Sequence, residues 1–376
     1  MHIGFDAKRF FHNATGLGNY ARSTVLGLAE HFPEHRYTLY TPSQAGQFCT
    51  LPALHGLHVQ EACPLARAFP AMWRSLGIPW TALQDGLDIY HGLSHELPMT
   101  DFAARTRTVV SMHDLLFLTH PHLYPWVDRK LYTFKYKKSC QRADMVVAIS
   151  QKTADDVHEL FGVPWQRIRV VHQSCAQAFS LALSKDEKVR LRRTHSLPED
   201  YVLFVGSLIP RKGAQTLIAA LGELPPADRP GLVIVGRGPL EASLREQART
   251  LNLGSRVLFP GQVPAEDLPG LYQLARVFAY PSVGEGFGIP ILEALSSRVP
   301  VITSTGSCFA EPGGDAALYT TPGDVQELAG ALAKVLGDAA LRQDMISRGV
   351  RHAQNFHISR TSANLMQVYA ELHAGR

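Results

Sequence analysis

Short runs of β-branched and apolar residues alternate with longer amphipathic stretches along nearly the whole chain. The runs "HIGFDA", "RYTLYTP", "LDIYHGL", "RTVVSMHD", "ADMVVAIS" and "RIRVVHQS" predict strands in the first half. In the second half "YVLFVGSL", "GLVIVGRG", "RVLFPGQ", "RVFAYPS" and "VPVITST" do the same. Helical patterns such as "QKTADDVHELFG" and "GPLEASLREQARTLN" lie between them. This alternation predicts an α/β protein with parallel sheets covered by helices on both faces. The series breaks at 174–201, where a connector and a charged, helix-like segment precede a fresh strand at "YVLFVGSLIPRKG". Two doubly wound, Rossmann-like domains follow, 1–180 and 181–355. A last helix, 356–376, is free to pack on the first of them. In doubly wound sheets ligands sit beyond the carboxyl ends of the strands. The expected site is therefore a cleft across which the two sets of strand ends face each other, with a hinge near residue 180.

Composition narrows this picture. The chain has 376 residues, 45% hydrophobic and 19% charged, enough for two cores. A net charge of +4 without a dense cationic stripe permits an anionic ligand and argues against nucleic acid. Cys49, Cys63, Cys140, Cys175 and Cys308 are dispersed singly, which suits a reducing compartment. The opening "MHIGFDAKRF" carries charge where a signal peptide needs an apolar segment, and no stretch approaches a membrane span. The expectation is a cytoplasmic enzyme.

Candidate chemistry clusters after the predicted strands. Gly16-Leu17-Gly18 opens a helix after the first strand; such a turn allows close ligand approach, although an ordinary βα turn reads the same way. His113 and Asp114 follow "VVSM", and "DIYHGLSHELP" offers Asp88, His91, His95 and Glu96 in a similar place. Gly206 and Ser207 leave room after the first strand of the second half, and Arg211 and Lys212 put two cations near a helix start. Cations are unfavourable at that end, so their presence points to an anionic ligand. "VIVGRGPLE" has Gly236 and Gly238 but Glu241 in place of the third glycine, which argues against a nicotinamide site. No Asp-x-Asp occurs, and no metal is expected. In "VGEGFGIPILEAL", Glu285, Gly286, Phe287 and Gly288 form a glycine-rich turn and Glu293 opens an apolar helix. Glu285 and Glu293 fit clamps for neighbouring hydroxyls better than an acid/base pair flanking a scissile bond.

In this order the motifs resemble the GT-B glycosyltransferases of family 4, a retaining group. The resemblance rests on the E-x7-E pair Glu285 and Glu293, "RKG" at 211–213, "HD" at 113–114, "TGLGNY" at 15–20, "AIS" at 148–150 and "AEPGGDAALY" at 310–319. It spans residues 3 to 355. It implies a first domain for the acceptor and a second for a nucleotide-sugar donor. Glu285 would hold hydroxyls of the donor sugar, Glu293 the ribose, and Arg211 and Lys212 the diphosphate. Gly16 and Gly18 would lie close by and His113 beside the transferred sugar, with His91 and Asp114 on the acceptor side. The leaving phosphate would help take the acceptor's proton, so no cofactor and no metal is implied. "FDAKR" with "TGLGNY" is most similar to mannosyltransferases, which implies GDP-mannose as donor and a glycan or lipid-linked glycan as acceptor. Gly213 and the Pro312-Gly313 pair depart from the family's usual residues. A nucleotide-sugar epimerase and a non-catalytic nucleotide-sugar-binding protein are the competing readings.

One segment allows peripheral membrane contact. "RKLYTFKYKKSCQR" (129–142) mixes six cations with Tyr132, Phe134 and Tyr136. It reads as a lipid-facing surface or, preferably, as a solvated basic helix with its aromatics packed inward.

Overall fold

The structure, a computed structural model, describes residues 1–44 and 51–375; Cys49 lies outside the described residues. The chain divides into two compact units, Met1–Ser174 with Ile358–Arg376, and Cys175–His357. The division falls at 174/175 rather than at 180. Phe179 explains the difference: its ring packs edge-on against Tyr272 at 5.5 Å and belongs to the second core, with Leu191 and Tyr201.

The first unit holds a parallel seven-stranded sheet. In chain order its strands are β1 (His2–Asp6), β2 (Arg36–Thr41), β3 (Leu57–Glu61), β4 (Ile89–Gly92), β5 (Arg107–Met112), β6 (Met145–Ala148) and β7 (Ile168–Val170). Their spatial order is β3-β2-β1-β4-β5-β6-β7. The second unit repeats the plan with six parallel strands: β8 (Tyr201–Val205), β9 (Gly231–Val235), β10 (Val257–Gly261), β11 (Val277–Tyr280), β12 (Val301–Ser304) and β13 (Ala317–Thr320). These run β10-β9-β8-β11-β12-β13. Central strands such as β1, β4, β9 and β11 are buried at every position, as strands covered on both faces must be. The strand order reverses between β1 and β4 and between β8 and β11. At those switch points the loops beyond the carboxyl ends part and leave a crevice in each unit.

Local signals set the helix ends. Ser150 accepts a hydrogen bond from the Thr153 amide to cap the helix Gln151–Phe161, and Gly162 ends it in the left-handed region at φ 70°. The last helix, Ile358–Ala374, returns to the first unit and packs on the helix Gly16–His31. Gly27 allows that approach, since a Cβ there would lie 2.6 Å from Ser362 Oγ.

Candidate active site

In the second unit the loops after β8 and β11 meet at the switch point. The chain leaving β8 passes Gly206 and makes a 3-10 turn, Pro210–Lys212, ahead of the helix Ala214–Glu223. Gly213 ends that turn at φ 74°, and a Cβ there would sit 2.1 Å from the Pro281 carbonyl oxygen. Only glycine lets the turn press this closely on the loop leaving β11. Arg211 and Lys212 are thereby brought to Glu285. Lys212 Nζ donates to Glu285 Oε1 at 2.6 Å, and Arg211 Nη1 lies 2.8 Å from the same oxygen. Ser282 Oγ and Tyr280 OH donate to it as well, at 2.7 and 3.1 Å. Lys212 also reaches the Tyr280 hydroxyl at 2.6 Å and lies over its ring.

The two glutamates titrate in opposite directions. Burial alone would raise the Glu285 carboxyl, but the Lys212 and Arg211 charges hold it down at about 2. Burial pushes Glu293 up to about 7, against a 2.9 Å hydrogen bond donated by Tyr272 OH. Glu293 is not at a helix start. The helix runs Ile289–Ser296 from Gly288, at φ 100°, so Glu293 sits in its second turn without help from the dipole. Phe287 is buried and packs on Phe356, which anchors the glycine-rich turn from below. Around it the Ser307 hydroxyl both accepts from the Glu285 amide and faces its carbonyl, each at 3.2 Å.

The glycines divide by what surrounds them. A Cβ on Gly206 would make only ordinary contacts at 3.7 Å, whereas one on Gly236 would lie 1.9 Å from the Gly206 carbonyl oxygen. Gly238 is crowded likewise by the Leu208 carbonyl. The "GRG" pair that imitates a dinucleotide fingerprint thus makes room for the 206–208 loop. In the first unit a Cβ on Gly18 would lie 1.8 Å from the Asn13 carbonyl oxygen, while Gly16 has open space around it. Asn13 Oδ1 gathers the Gly18 and Thr15 amides and the Thr15 hydroxyl, fixing the entry to the helix. Gly18 is a packing glycine, and Gly16 is the one with room for a ligand.

His113 follows β5. Its Nε2 lies 2.8 Å from the Leu93 carbonyl oxygen, so that nitrogen bears the proton and Nδ1 carries the lone pair. The Gln173 amide nitrogen stands 3.4 Å from Nδ1. Burial pulls the pKa of His113 down to about 4, with the Arg9 charge in the same direction, so the ring is neutral at physiological pH. Tyr20 meets it edge-on at 4.6 Å. Asp114 caps the next turn, accepting from the Leu116 amide at 3.1 Å.

His91 is a correction. Expected on the acceptor side, it is wholly buried, with Nδ1 2.6 Å from Tyr369 OH and Nε2 2.8 Å from Ser111 Oγ. Ser111 Oγ in turn lies 2.7 Å from Tyr20 OH. His91 is a core histidine that ties the last helix to the ring packed on His113. The histidine that accompanies His113 is His95, which adopts φ 66°, stacks on Tyr136 at 4.6 Å and accepts from the His113 amide at 3.2 Å.

Residues 14–174 match the family described as Glycosyltransferase Family 4, and residues 186–352 match Glycosyl transferases group 1. The O-antigen chain mannosyltransferase B of Escherichia coli is 32% identical over 296 residues, which cover 77% of this chain and 76% of that protein. The chain is a family 4 glycosyltransferase. The O-antigen chain mannosyltransferase RfbU of Salmonella typhimurium is 30% identical to this glycosyltransferase over 253 residues, 66% of the chain and 65% of the relative. The serotype-specific mannosyltransferase WbdA of Escherichia coli is 28% identical over 280 residues, 71% of this chain but only 34% of that longer protein. Among solved structures, Anabaena HepE in complex with UDP matches with a TM-score of 0.77 at 20% identity, covering 99% of this chain and 100% of that one. Sucrose-phosphate synthase from Thermosynechococcus elongatus matches at 0.78 and 21%, covering both chains fully at 100%. These likenesses place the glycosyltransferase in the GT-B fold class. Among its described residues no group of three or more His, Cys, Asp or Glu side chains is set to hold a metal, and no helix is long and apolar enough to cross a membrane.

Proposed function

We propose that the glycosyltransferase is a retaining hexosyltransferase that moves mannose from GDP-mannose to a glycan or lipid-linked glycan, without a metal. One observation carries the donor side: Arg211, Lys212 and Glu285 converge at the carboxyl ends of β8 and β11. Two cations against one carboxylate leave the trio one charge positive. A diphosphate brought beside it gains from fixed cations what a metal would otherwise supply. Glu285, ionised throughout the working pH range, keeps both cations aimed and offers its remaining oxygen to sugar hydroxyls. Glu293 takes the ribose. In the first unit His113, neutral and with its lone pair on Nδ1, would serve as a hydrogen-bond acceptor for a sugar hydroxyl, not as a general acid.

The choice of mannose is supported by the mannosyltransferases to which the chain is similar. The runner-up is a UDP-sugar, favoured by the UDP bound in the HepE structure. A lipid-linked acceptor would be met at a membrane surface, with the basic helix Trp126–Arg142 as the contact.

Thermal melting with GDP-mannose, UDP-glucose, UDP-N-acetylglucosamine and ADP-glucose, each with EDTA, tests this reading. Ligand at a hundred times its Kd stabilises by about 2.7 kcal/mol. A shift with GDP-mannose that survives EDTA is expected. A shift only with UDP-sugars moves the donor to the runner-up, and a shift that EDTA abolishes overturns the metal-free reading.

A further inference from the structure

The first unit holds a small cavity of about 20 Å³ close to His113. Its walls come from three places: Tyr20 and Thr24 on the helix Gly16–His31, Gln173 and Ser174 beyond β7, and Ser362 on the last helix. The space suits one water or one small polar group. Ser362 is buried there, and its Oγ has no hydrogen-bond partner among the described residues. Buried hydroxyls rarely stay unpaired, so this one calls for an explanation.

Gln173 links this cavity to His113. Its half-buried side chain makes one hydrogen bond among the described residues, donated by the amide nitrogen to His113 Nδ1 at 3.4 Å. That bond is long for its kind. Nδ1 has a lone pair to offer because Nε2 donates to the Leu93 carbonyl. A sugar hydroxyl arriving at about 2.8 Å is the better donor to it. A ring nitrogen has a single lone pair, so the hydroxyl binds only by taking the place of the Gln173 amide. The other groups around the ring are already engaged. Tyr20 meets it edge-on with its hydroxyl 2.7 Å from Ser111 Oγ, and His95 Nε2 accepts from the His113 amide. An amide displaced without a new acceptor would cancel what the hydroxyl gains.

We propose that Gln173 is a positioning residue with two positions of its own, one at His113 Nδ1 and one at Ser362 Oγ. Without sugar its amide donates to Nδ1 and screens that lone pair from water. When a sugar hydroxyl takes the lone pair, the amide turns into the cavity and donates to Ser362 Oγ. One hydrogen bond is exchanged for another, so sugar binding strands no polar group. The last helix thereby contributes to sugar binding without touching the sugar. The inference rests on the proposed role of His113 as acceptor for a sugar hydroxyl, and adds the residue that gives way to it.

Calorimetry with GDP-mannose and with GDP isolates the sugar's contribution as the ratio of the two affinities. Ser362→Ala is expected to lower that ratio about three- to tenfold, the worth of one hydrogen bond. GDP affinity and melting temperature should hold or rise, since the lost hydroxyl was unpaired. In a Gln173→Leu background the competitor is gone, and Ser362→Ala should have no further effect. Nitrogen NMR gives a readout without ligand. The His113 Nδ1 resonance, identified by its absence in His113→Asn, is expected to move downfield in Gln173→Leu as the nitrogen loses its donor. An unmoved resonance overturns the first position. A ratio that Ser362→Ala leaves intact, as when the amide is released to solvent, overturns the second, and so does an equal fall in the Gln173→Leu background. A ratio unchanged in His113→Asn defeats the proposed role of His113 instead. Failure of GDP-mannose to bind defeats the proposed donor, and the resonance still decides the first position.

Discussion

Glu285 and Glu293 lie on one loop and the helix that follows it, yet one is held ionised and the other is poised at neutrality. The cause is the neighbours: two cations beside Glu285, one phenol beside Glu293. For Glu285 the folded pKa is depressed, so its contribution to stability is present above the unfolded value near 4.5 and is lost as the pH falls towards 2. E285Q strands Arg211 and Lys212 without their counter-ion; we expect about 3 kcal/mol of lost stability at neutral pH and about a hundredfold lower kcat. Nucleotide affinity should persist in that variant, because the cations remain, whereas Arg211→Ala and Lys212→Ala should weaken it. Equal affinity in all three, measured by calorimetry, contradicts the assignment. For Glu293 the folded pKa is raised, so folding favours the protonated acid and the cost of ionising it accrues as the pH rises from about 4.5 through 7. E293Q should therefore be more stable than the wild type above that range, by about 3 kcal/mol for a shift of this size. If the carboxylate holds the ribose, wild-type nucleotide affinity also rises through pH 7 while that of E293Q stays flat.

At the scale of elements, the turns are set by where a side chain would collide. Gly18→Ala forces a Cβ against the Asn13 carbonyl, whereas Gly16→Ala meets nothing. The first should cost about 2 kcal/mol or more in thermal melting and the second about 0.5 or less; the reverse order would remove the distinction between packing and ligand-side glycine. The hydrophobic pattern read eleven strands correctly and passed over two. Both are sheet edges: β3, only one of whose five residues is buried, and β13, short and embedded in the "AEPGGDAALY" motif. An edge strand has one neighbour and mixed exposure, so its alternation is diluted. The strand-end rule likewise found His113, Arg211, Lys212 and Glu285, since each follows a strand in the chain. It could not choose between His91 and His95, which share one short run. His91 still belongs to β4, inside the sheet, and only the left-handed backbone at residue 95 turns the second ring towards His113. Tyr272, the partner of Glu293, sits in a different helix, and nothing in its local sequence marks it.

At the scale of the molecule, the chain leaves the first unit at Ser174, completes the second, and returns at Ile358. The second unit is contiguous and has its own core around Tyr201, Leu203, Phe278 and Ile302. It also contains every residue proposed for the donor side between Gly206 and Glu293. The first unit is discontinuous. Its last helix supplies Leu365, Met366 and Tyr369 to the interior, and Tyr369 satisfies the buried His91 ring. Without that helix, His91 loses a partner in a site closed to water, a cost of about 1–3 kcal/mol, and apolar surface on the helix Gly16–His31 is laid bare. Residues 175–357 expressed alone should therefore fold cooperatively and keep the nucleotide-induced rise in melting temperature. Residues 1–174 alone should fail to give a cooperative transition, and should regain one when 358–374 is supplied on a short linker. Tyr369→Phe in the full chain should destabilise the first unit while leaving nucleotide affinity intact. A fragment 175–357 that folds but gives no nucleotide response would show that the second unit's Arg211, Lys212 and Glu285 do not suffice to hold the donor.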